Sequence, residues 1–451
     1  GSIIEEDINV ILGSDEASCS QLAFLYGEAQ KFPGDTEELI NIVSSSRGST
    51  KIRLASLDIG GGTTDLMISD YSKDNPNISE DPNIKQNIVY SDGVSKAGDD
   101  ILKSLIYKIV IPNIRKALKN NNREDKLEQY FGPGSSPAYK QIRVDALNKF
   151  FIPIAEFYMF LMENKSEISN NDLDQITSLS KLNHYIGFTD AGLKSISKKC
   201  SYLESNEIFK SEDFEMVIPN LIPSIKDLEK EILIIYQDIL ARYAVVVNRY
   251  KPNFLILAGR TTSLPIIGET LRRWITISPN RIISLKDYYI GDWYPFSEQG
   301  IIKDPKTSVV IGNAIAHLSN KKLMPNVNII TDGEDSDYTL NFIGAVSAGK
   351  KIMENRNYIF DKYSSNASDT FNLVNDVSII YRNIDASEML CNLMYTLSLR
   401  EDEDGRKYQP SDGAISVSLD TSNPKEELTI SNVQGEIEIP GDNSSKRLAT
   451  K

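Results

Sequence analysis

The sequence predicts an α/β protein, in which an α/β lobe is interrupted by a helical insertion and followed by a β-rich C-terminal module. Three observations carry this prediction: three successive apolar runs from Lys51, helical periodicity from about Arg115 to Lys251, and alternating apolar and polar residues beyond about Lys322. The 451 residues suffice for two to four packed units at roughly 100–200 residues per domain.

The lobe begins with the runs KIRLASLDIG, DLMISDY and NIVYSDGV, each bounded by Gly, Asp, Asn or Ser. Such boundaries favour turns, so we predict three strands joined in succession. Next, Ile101, Leu102 and Leu105 recur at helical spacing after an acidic start that suits a helix N-terminus. A helix therefore follows the third strand.

The insertion is predicted to be mostly helical, and IKDLEKEILIIYQDILARYAVVVNRY is its clearest helix. After it, FLILAG is typical of a buried parallel strand, IIGETLRRWI of a helix, RIISL of a strand and SVVIGNAIAHL of a helix. The order is β-β-β-α-β-α-β-α, with the insertion after the first helix. The predicted units are an entering helix and linker (1–50), the lobe (51–114 and 252–321), the insertion (115–251), the β-rich module (322–440) and a disordered tail (441–451).

The composition excludes several classes of protein. The chain has 49 Lys and Arg against 63 Asp and Glu, and the net charge of -14 disfavours nucleic acids and anionic membrane surfaces as partners. Cys19, Cys200 and Cys391 are too far apart for a disulfide framework or a zinc site, which suggests a reducing compartment. The apolar stretch 150–162 is shorter than the roughly 20 residues of a membrane span. We therefore expect a cytoplasmic protein without membrane insertion.

The segment Asp58-Ile59-Gly60-Gly61-Gly62-Thr63-Thr64-Asp65 lies between two predicted strands. Consecutive glycines let the backbone come close to a ligand, and exposed amides can cradle phosphate oxygens. Asp58 can hold a hydrated Mg²⁺, and Asp65 can orient or deprotonate a water molecule. The alternative is an ordinary glycine hairpin whose two aspartates are turn residues.

A second glycine turn follows FLILAG. Gly259 ends this strand, and the turn Gly259-Arg260-Thr261 would let a nucleotide lie against the backbone before the next helix begins. Arg260 is suited to stacking on a base or contacting phosphate, which we favour. A partly blocked pocket and a structural salt bridge remain the alternatives for Arg260.

Five motifs, in order along the chain from Asp15 to Leu318, resemble the ATPase superfamily of actin, the DnaK-type chaperones and the sugar kinases. DIGGGTTDL resembles its second phosphate motif, and LILAGRTTSLPIIGETLRR its adenosine motif. The other three are DEASCSQLAFLY, SDGVSKAGDDILKSL and VVIGNAIAHL, which resemble the first connecting helix, the strand-to-helix step and the closing helix. The resemblance implies a ribonuclease-H-like lobe that binds ATP or ADP with Mg²⁺. Many relatives have a second glycine where Arg260 stands.

The resemblance also implies roles for individual residues. The phosphates would be held by Gly60, Gly61, Gly62 and Thr63, and the nucleoside by Gly259, Arg260 and Thr261. Asp58 would anchor hydrated Mg²⁺, while Asp65 and Glu16 orient the attacking water. Asp15 is the close alternative to Glu16, and both could instead be ordinary charges at a helix N-terminus.

ATPases of this superfamily close on their nucleotide between two lobes, and the first lobe contributes an Asp-x-Gly-[Thr/Ser] hairpin. Fourteen residues precede Asp15, and Asp190-Ala191-Gly192 in the insertion is a decoy without a following strand. We therefore expect this chain to be the second half of such an ATPase. The chain alone should bind ATP weakly or not at all, and ATPase activity is expected only in the intact protein.

The pairing of DEASC with LDIGGGTTDL and of ILAGR with IGNAIAHL resembles the SrfB-type virulence factor family of bacteria, as does IIYRNIDASEML. This implies a long bacterial protein with a role in host interaction or a multi-protein system. The leading hypothesis is an ATP-dependent switch that controls binding of unidentified protein partners. An inactive nucleotide-binding or assembly scaffold is the alternative, and a sugar or acetate kinase is less favoured because the insertion shows no substrate-binding cluster.

Overall fold

The structure is a computed structural model that describes residues 15–31, 39, 40, 43, 51–74, 83–119, 129, 131, 132, 135–165, 224–321, 323, 324, 328–331, 341–364, 368–382, 391–400, 406–411, 413–421, 428–438 and 445–448. The sequence-based predictions for Cys200 and for the decoy at 190–192 lie outside the described residues. So does most of the IIYRNIDASEML segment.

The helices of these parts are numbered in chain order. They are α1 (Glu16–Ala29), α2 (Gly98–Leu105), α3 (Ile111–Lys119), α4 (Lys140–Ala146), α5 (Ile152–Glu163), α6 (Ile225–Tyr250), α7 (Pro265–Trp274) and α8 (Thr307–Asn320). Two π-helical turns, Ile106–Val110 and Leu147–Phe151, join α2 to α3 and α4 to α5. None of the helices in the described parts combines the length and apolar character needed to cross a membrane.

The strands form one sheet among these helices and further sheets near the C-terminus. They are β1 (Lys51–Ile59), β2 (Thr64–Asp74), β3 (Asn83–Val94), β4 (Phe254–Ala258), β5 (Ile282–Ser284), β6 (Ser297–Glu298), β7 (Ile301–Ile302), β8 (Asn328–Thr331), β9 (Phe342–Ser347), β10 (Tyr358–Asp361), β11 (Thr370–Leu373), β12 (Val377–Arg382), β13 (Asn392–Leu397), β14 (Gln409–Pro410), β15 (Ile415–Asp420), β16 (Thr429–Glu438) and β17 (Ser445–Leu448).

The first sheet has six strands in the order β5-β4-β1-β2-β3-β8. Strands β1, β2 and β3 form an antiparallel meander, whereas β4 pairs in parallel with β1 and β5 in parallel with β4. The prediction that the FLILAG and RLASLDIG segments share a sheet is confirmed, because Leu57 pairs with Leu257. The protein is thus a mixed α/β chain with several sheets.

Side chains of β1 alternate between two hydrophobic cores, as expected for a strand buried on both faces. Leu57 and Ile59 belong to the core formed with the insertion helices α5 and α6. Ile52 and Leu54 belong to the core formed with α1 and α8. By the same alternation, Asp58 lies on the face covered by α1 and α8. This alternation decides which groups surround the Asp58 carboxylate.

The C-terminal strands form two sheets whose apolar faces share one core. One sheet has the order β10-β9-β12-β13, and the other is built from β11, β15, β16 and β14, with β17 added beside β16. Ile343 and Ile379 of the first sheet pack in one core with Val417 and Leu419 of the second. Apolar residues alternate along β15, as the AISVSLD pattern predicts.

Two predictions from the sequence differ from the structure. Strand β8 lies within the range assigned to the β-rich module, yet it pairs in parallel with β3, with Ile84 opposite Ile329. The prediction of a disordered tail is wrong for residues 445–448. These residues form β17, which pairs with residues 435–438 of β16. In both cases a short segment pairs with an open edge that local sequence patterns do not reveal.

Candidate functional site

Two aspartates face each other where β1 and β2 meet. Asp58 pairs with Asp65 across the two strands, and Asp65 is also opposite Gly93 of β3. A β-carbon at Gly93 would lie 2.4 Å from Asp65 Oδ1, so glycine is the residue that leaves room for this carboxylate. The sheet register therefore brings the two predicted site carboxylates together.

The N-terminus of α1 adds Asp15 and Glu16 to these carboxylates. Asp15 is the N-cap of the helix, and its Oδ1 accepts a hydrogen bond from Ser18 N at 2.9 Å. Glu16 is exposed in the first turn. Capping engages Asp15 Oδ1, so this carboxylate is partly committed to the helix, whereas Glu16 is exposed.

Buried hydrogen bonds fix α1 on the sheet. Gln21 Nε2 donates to Ser56 Oγ at 2.9 Å, and Tyr71 Oη donates to Gln21 Oε1 at 3.0 Å. Gln86 Nε2 donates to Ser18 Oγ at 3.1 Å. Buried polar side chains that are mutually satisfied specify one arrangement, so this network sets where the helix N-terminus stands.

The acidic cleft is a cavity of about 520 Å³ at these strand ends. Its carboxylates are Asp15, Glu16, Asp58, Asp65 and Asp92. Thr63 contributes a hydroxyl, while Tyr381 and Met394 of the β-rich module also line the cleft. The cleft thus lies between the lobe and the module.

The charges in the acidic cleft repel one another. Burial, reinforced by the negative charges of Glu16 and Asp65, raises the pKa of Asp58 to about 6, although Lys306 opposes this. Burial also raises the pKa of Asp65, and the hydrogen bond with Thr63 opposes that shift. A bound cation would relieve this repulsion.

The described residues contain no group of three or more His, Cys, Asp or Glu side chains placed to hold a metal ion. Magnesium is usually bound through one or two carboxylates, water and substrate phosphates, so two aspartates are compatible with it. Asp58, with Asp65 opposite it on β2, supplies the one or two carboxylates of such a magnesium site.

The glycine turn connects β1 to β2 and rests on the start of α2. Gly60 N donates to Thr63 O at 3.0 Å, while Gly98 N donates to Gly60 O at 3.0 Å and Asp99 N donates to Gly61 O at 2.9 Å. Gly61 and Gly62 are exposed, and neither has a positive φ. Within the described parts of the chain, no group accepts a hydrogen bond from the amides of Gly61 and Gly62.

The second glycine turn packs directly against the first. Gly259 has φ +78°, and a β-carbon there would lie 2.2 Å from Asp58 Oδ1 and 2.5 Å from Ile59 O. Thr261 Oγ1 donates to Gly60 O at 3.2 Å, although these residues are 201 positions apart. The structure therefore places both predicted turns beside Asp58.

Arg260 lies on the side of this turn that faces the end of α5. Its side chain is 74% exposed, and Nε is 4.0 Å from Glu163 Oε1. Lys286 Nζ is 3.8 Å from Glu163 Oε2 and is far more buried. A long, exposed ion pair contributes little to stability, so the salt-bridge explanation of Arg260 is the weaker one.

The sequence does not predict three residues that connect the β-rich module to this site. Arg242 Nη2 is 3.8 Å from Asp92 Oδ2, and both side chains are buried. Tyr381 Oη is within hydrogen-bonding distance of Asp92 Oδ1 (3.4 Å) and Gly93 O (3.3 Å). The sequence offers one local signal of these contacts, the Ser-Asp-Gly end of β3, because a charged residue is unusual in a buried strand.

Comparison with known proteins identifies the family. The profile of the family described as virulence factor SrfB matches residues 8–446, whereas no curated protein matches the chain. Because the family match covers nearly all 451 residues, the chain belongs to the SrfB virulence factor family.

Proposed function

We propose that this chain binds ATP with Mg²⁺ at the two glycine turns, and that in the intact protein ATP turnover switches the binding of partner proteins. The lobe would be of the ribonuclease-H-like kind found in actin-like and DnaK-like ATPases. The strand order β5-β4-β1-β2-β3, with β2 antiparallel to its neighbours, supports this fold assignment.

The observation that carries the proposal is that the fold does not require Gly61 and Gly62. A β-carbon at Gly62 would meet no described atom within 4 Å, and one at Gly61 would make only an ordinary contact of 3.6 Å with Asp99. Replacing glycine by alanine where alanine can adopt the same backbone conformation stabilises a protein by about 0.4–1 kcal/mol. Close approach of a ligand to the backbone explains why both positions nevertheless lack a side chain.

The charges around the turn suggest how each residue would act. A nucleotide polyphosphate is repelled by five carboxylates, so the nucleotide should enter together with a cation. Bound at Asp58, hydrated Mg²⁺ would supply the positive charge that the phosphates need. The exposed amides of Gly61 and Gly62 would donate to the phosphates, while Asp65 and Glu16 would orient a water molecule.

A nucleotide-binding scaffold without turnover is the second candidate. It is favoured by Tyr381 and Met394, because these module side chains line the same cleft as Asp65 and Glu16, as expected if the cleft serves assembly. A phosphate-release assay on the intact protein, under conditions of nucleotide binding, separates the two candidates. Release above the uncatalysed rate supports the switch, and its absence supports the scaffold.

Gly62→Ala should weaken ATP binding without unfolding the protein. The added methyl group meets open space in the fold, but it would stand between the backbone and a phosphate. Losing one charge-assisted hydrogen bond, worth about 1.5–3 kcal/mol, weakens affinity by about tenfold or more. Hydrogen exchange measures this loss of affinity in peptides that span residues 60–63 and 259–261. The exchange is followed while Mg·ATP is titrated to about 10 mM.

Gly268→Ala, in α7, is the matched control and should titrate like the wild type. If the intact wild-type protein shows no protection at either turn, nucleotide binding is contradicted. If Gly62→Ala is protected as well as the wild type, the nucleotide lies elsewhere and the role of the glycine turn is contradicted.

A further inference from the structure

A second cavity, the basic pocket, adjoins the acidic cleft at Tyr381. Its volume is about 580 Å³, and it shares Gly93 and Tyr381 with the acidic cleft. Its basic residues come from three separate segments: Lys96 before α2, Arg242 in α6, and Lys350 and Lys351 between β9 and β10. The pocket thus exists only where the β-rich module meets the lobe.

The cations of the basic pocket exceed the carboxylates near them. Lys351 Nζ is 3.0 Å from Asp238 Oδ2, and Arg242 is paired with Asp92 at 3.8 Å. Around Lys96 and Lys350, no carboxylate of a described residue lies within ion-pair distance. Among the residues that the structure describes, these four cations face two carboxylates, which leaves an excess of positive charge in a chain of net charge -14.

The pocket also offers neutral hydrogen-bonding groups. Ser378 is buried on β12 and stands opposite Thr396 of β13, and both line the pocket. A volume of this size falls within the range of small-molecule sites and exceeds what inorganic phosphate alone would fill. A charged head and a hydroxyl-bearing body would therefore match the two kinds of lining group.

We propose that the basic pocket binds a small phosphate monoester. A phosphate monoester carries up to two negative charges, which matches the excess of positive charge. Arg242 is suited to phosphate oxygens because guanidinium presents paired donors, and Lys96 and Lys350 add point charges from the lobe and the module. The Ser378 and Thr396 hydroxyls would contact the organic part. Because the ligand touches both units, its binding would hold the module against the lobe.

Glycerol 3-phosphate is the probe, with glycerol at equal concentration and sodium chloride at equal ionic strength as controls. Glycerol 3-phosphate should raise the melting temperature of the wild-type chain, whereas the controls should not. The double variant Lys96→Gln/Lys350→Gln should bind it at least about tenfold more weakly. Lys362→Gln, an exposed lysine in the same module, should bind it like the wild type.

Hydrogen exchange locates the site independently of the proposed nucleotide function. Protection of peptides containing 347–351 and 95–97, retained in Gly62→Ala, supports the proposal. Three results would each overturn it. These are protection at 60–63 that is lost in Gly62→Ala, an affinity of the double variant equal to that of the wild type, and no shift in melting temperature with glycerol 3-phosphate. Equal binding of succinate would overturn the assignment to phosphate monoesters.

Discussion

Gly312→Ala should destabilise the protein by about 2 kcal/mol or more, because α8 packs on α1 through this glycine. A β-carbon at Gly312 would lie 1.9 Å from the carbonyl oxygen of Cys19 and 2.4 Å from its carbonyl carbon. Backbone atoms cannot swing aside as a side chain does, so the two helices must separate. The backbone contact places the overpacking cost at or above the upper end of the usual range of about 1–3 kcal/mol, and a gain of roughly 1 kcal/mol in helix propensity leaves a net loss of about 2 kcal/mol or more.

Gly268→Ala in α7 makes the same change in another buried helical position. There the nearest atom is Arg272 Nη1 at 3.1 Å, the far end of a long side chain that can move. This variant should be neutral or gain up to about 1 kcal/mol. Urea midpoints followed by circular dichroism measure both variants. Equal midpoints for Gly312→Ala and the wild type would show that α1 and α8 do not pack this closely.

The packing at Gly312 also matters for the acidic cleft. Helix α1 carries Glu16 at its start, and Lys306 immediately precedes α8. Lys306 is the cation that opposes the raised pKa of Asp58. A displacement of α8 should therefore alter the charge balance of the cleft as well as the stability of the fold.

Local sequence patterns are sufficient to predict the elements that carry the two glycine turns. Apolar runs bounded by turn residues predict β1 to β4, and bare backbone at Gly60 and Gly259 predicts that the turns share a site. The structure adds the physical link between them, since Gly259 packs on Asp58 and Thr261 donates to Gly60. Periodicity of this kind reports secondary structure reliably because it depends on neighbouring residues alone.

Contacts between distant segments cannot be predicted in this way. Tyr381 meets Asp92 across 289 positions, and although both residues lie in segments that resemble family motifs, neither segment indicates this contact. The same limit explains β8, whose short apolar segment looks like any strand and reveals nothing about its partner β3. The basic pocket depends on three such distant segments, so no local pattern indicates it.

Asp58→Asn should stabilise the protein by about 1–3 kcal/mol at about pH 7.5 in metal-free buffer. Asp58 is 7% exposed, and its pKa of about 6 lies well above the ordinary aspartate value of 3.8. Each tenfold change in proton affinity corresponds to about 1.4 kcal/mol, so the ionised carboxylate costs the fold up to about 3 kcal/mol. Asparagine keeps the shape but removes the charge, and burial of its amide reduces the gain.

The effect of Asp58→Asn should depend on pH in a definite direction. Between about pH 3.8 and 6 the folded state keeps the Asp58 proton while the unfolded state releases it, so wild-type stability falls as pH rises through this window. The advantage of the variant should therefore be absent near pH 3.8, grow across the window and level off above about pH 6. Urea unfolding at several pH values measures this difference.

Asp70→Asn, on β2 and farther from the glycine turn, is the matched control with the opposite sign. Burial alone would raise the pKa of Asp70, but Arg53 and Lys51 outweigh it and lower the pKa. Arg53 Nε donates to Asp70 Oδ1 at 2.6 Å and Arg53 Nη2 to Oδ2 at 2.9 Å. Removing this carboxylate should cost about 1–3 kcal/mol at about pH 7.5.

Addition of Mg²⁺ then separates a functional role for Asp58 from an accidental buried charge. If Asp58 holds the ion, Mg²⁺ should stabilise the wild type and Asp70→Asn by similar amounts, because ligand binding to the folded state alone adds stability. It should leave Asp58→Asn unchanged, so the advantage of that variant narrows as Mg²⁺ rises. If the stability advantage of Asp58→Asn does not change with Mg²⁺ concentration, Asp58 is not the residue that binds magnesium. If this advantage does not change with pH, the pKa of Asp58 is not raised. The fold gains nothing from keeping Asp58 and Asp65 together, so their repulsion destabilises the cleft when no ligand is bound. A ligand that relieves this repulsion is what we expect at a binding site.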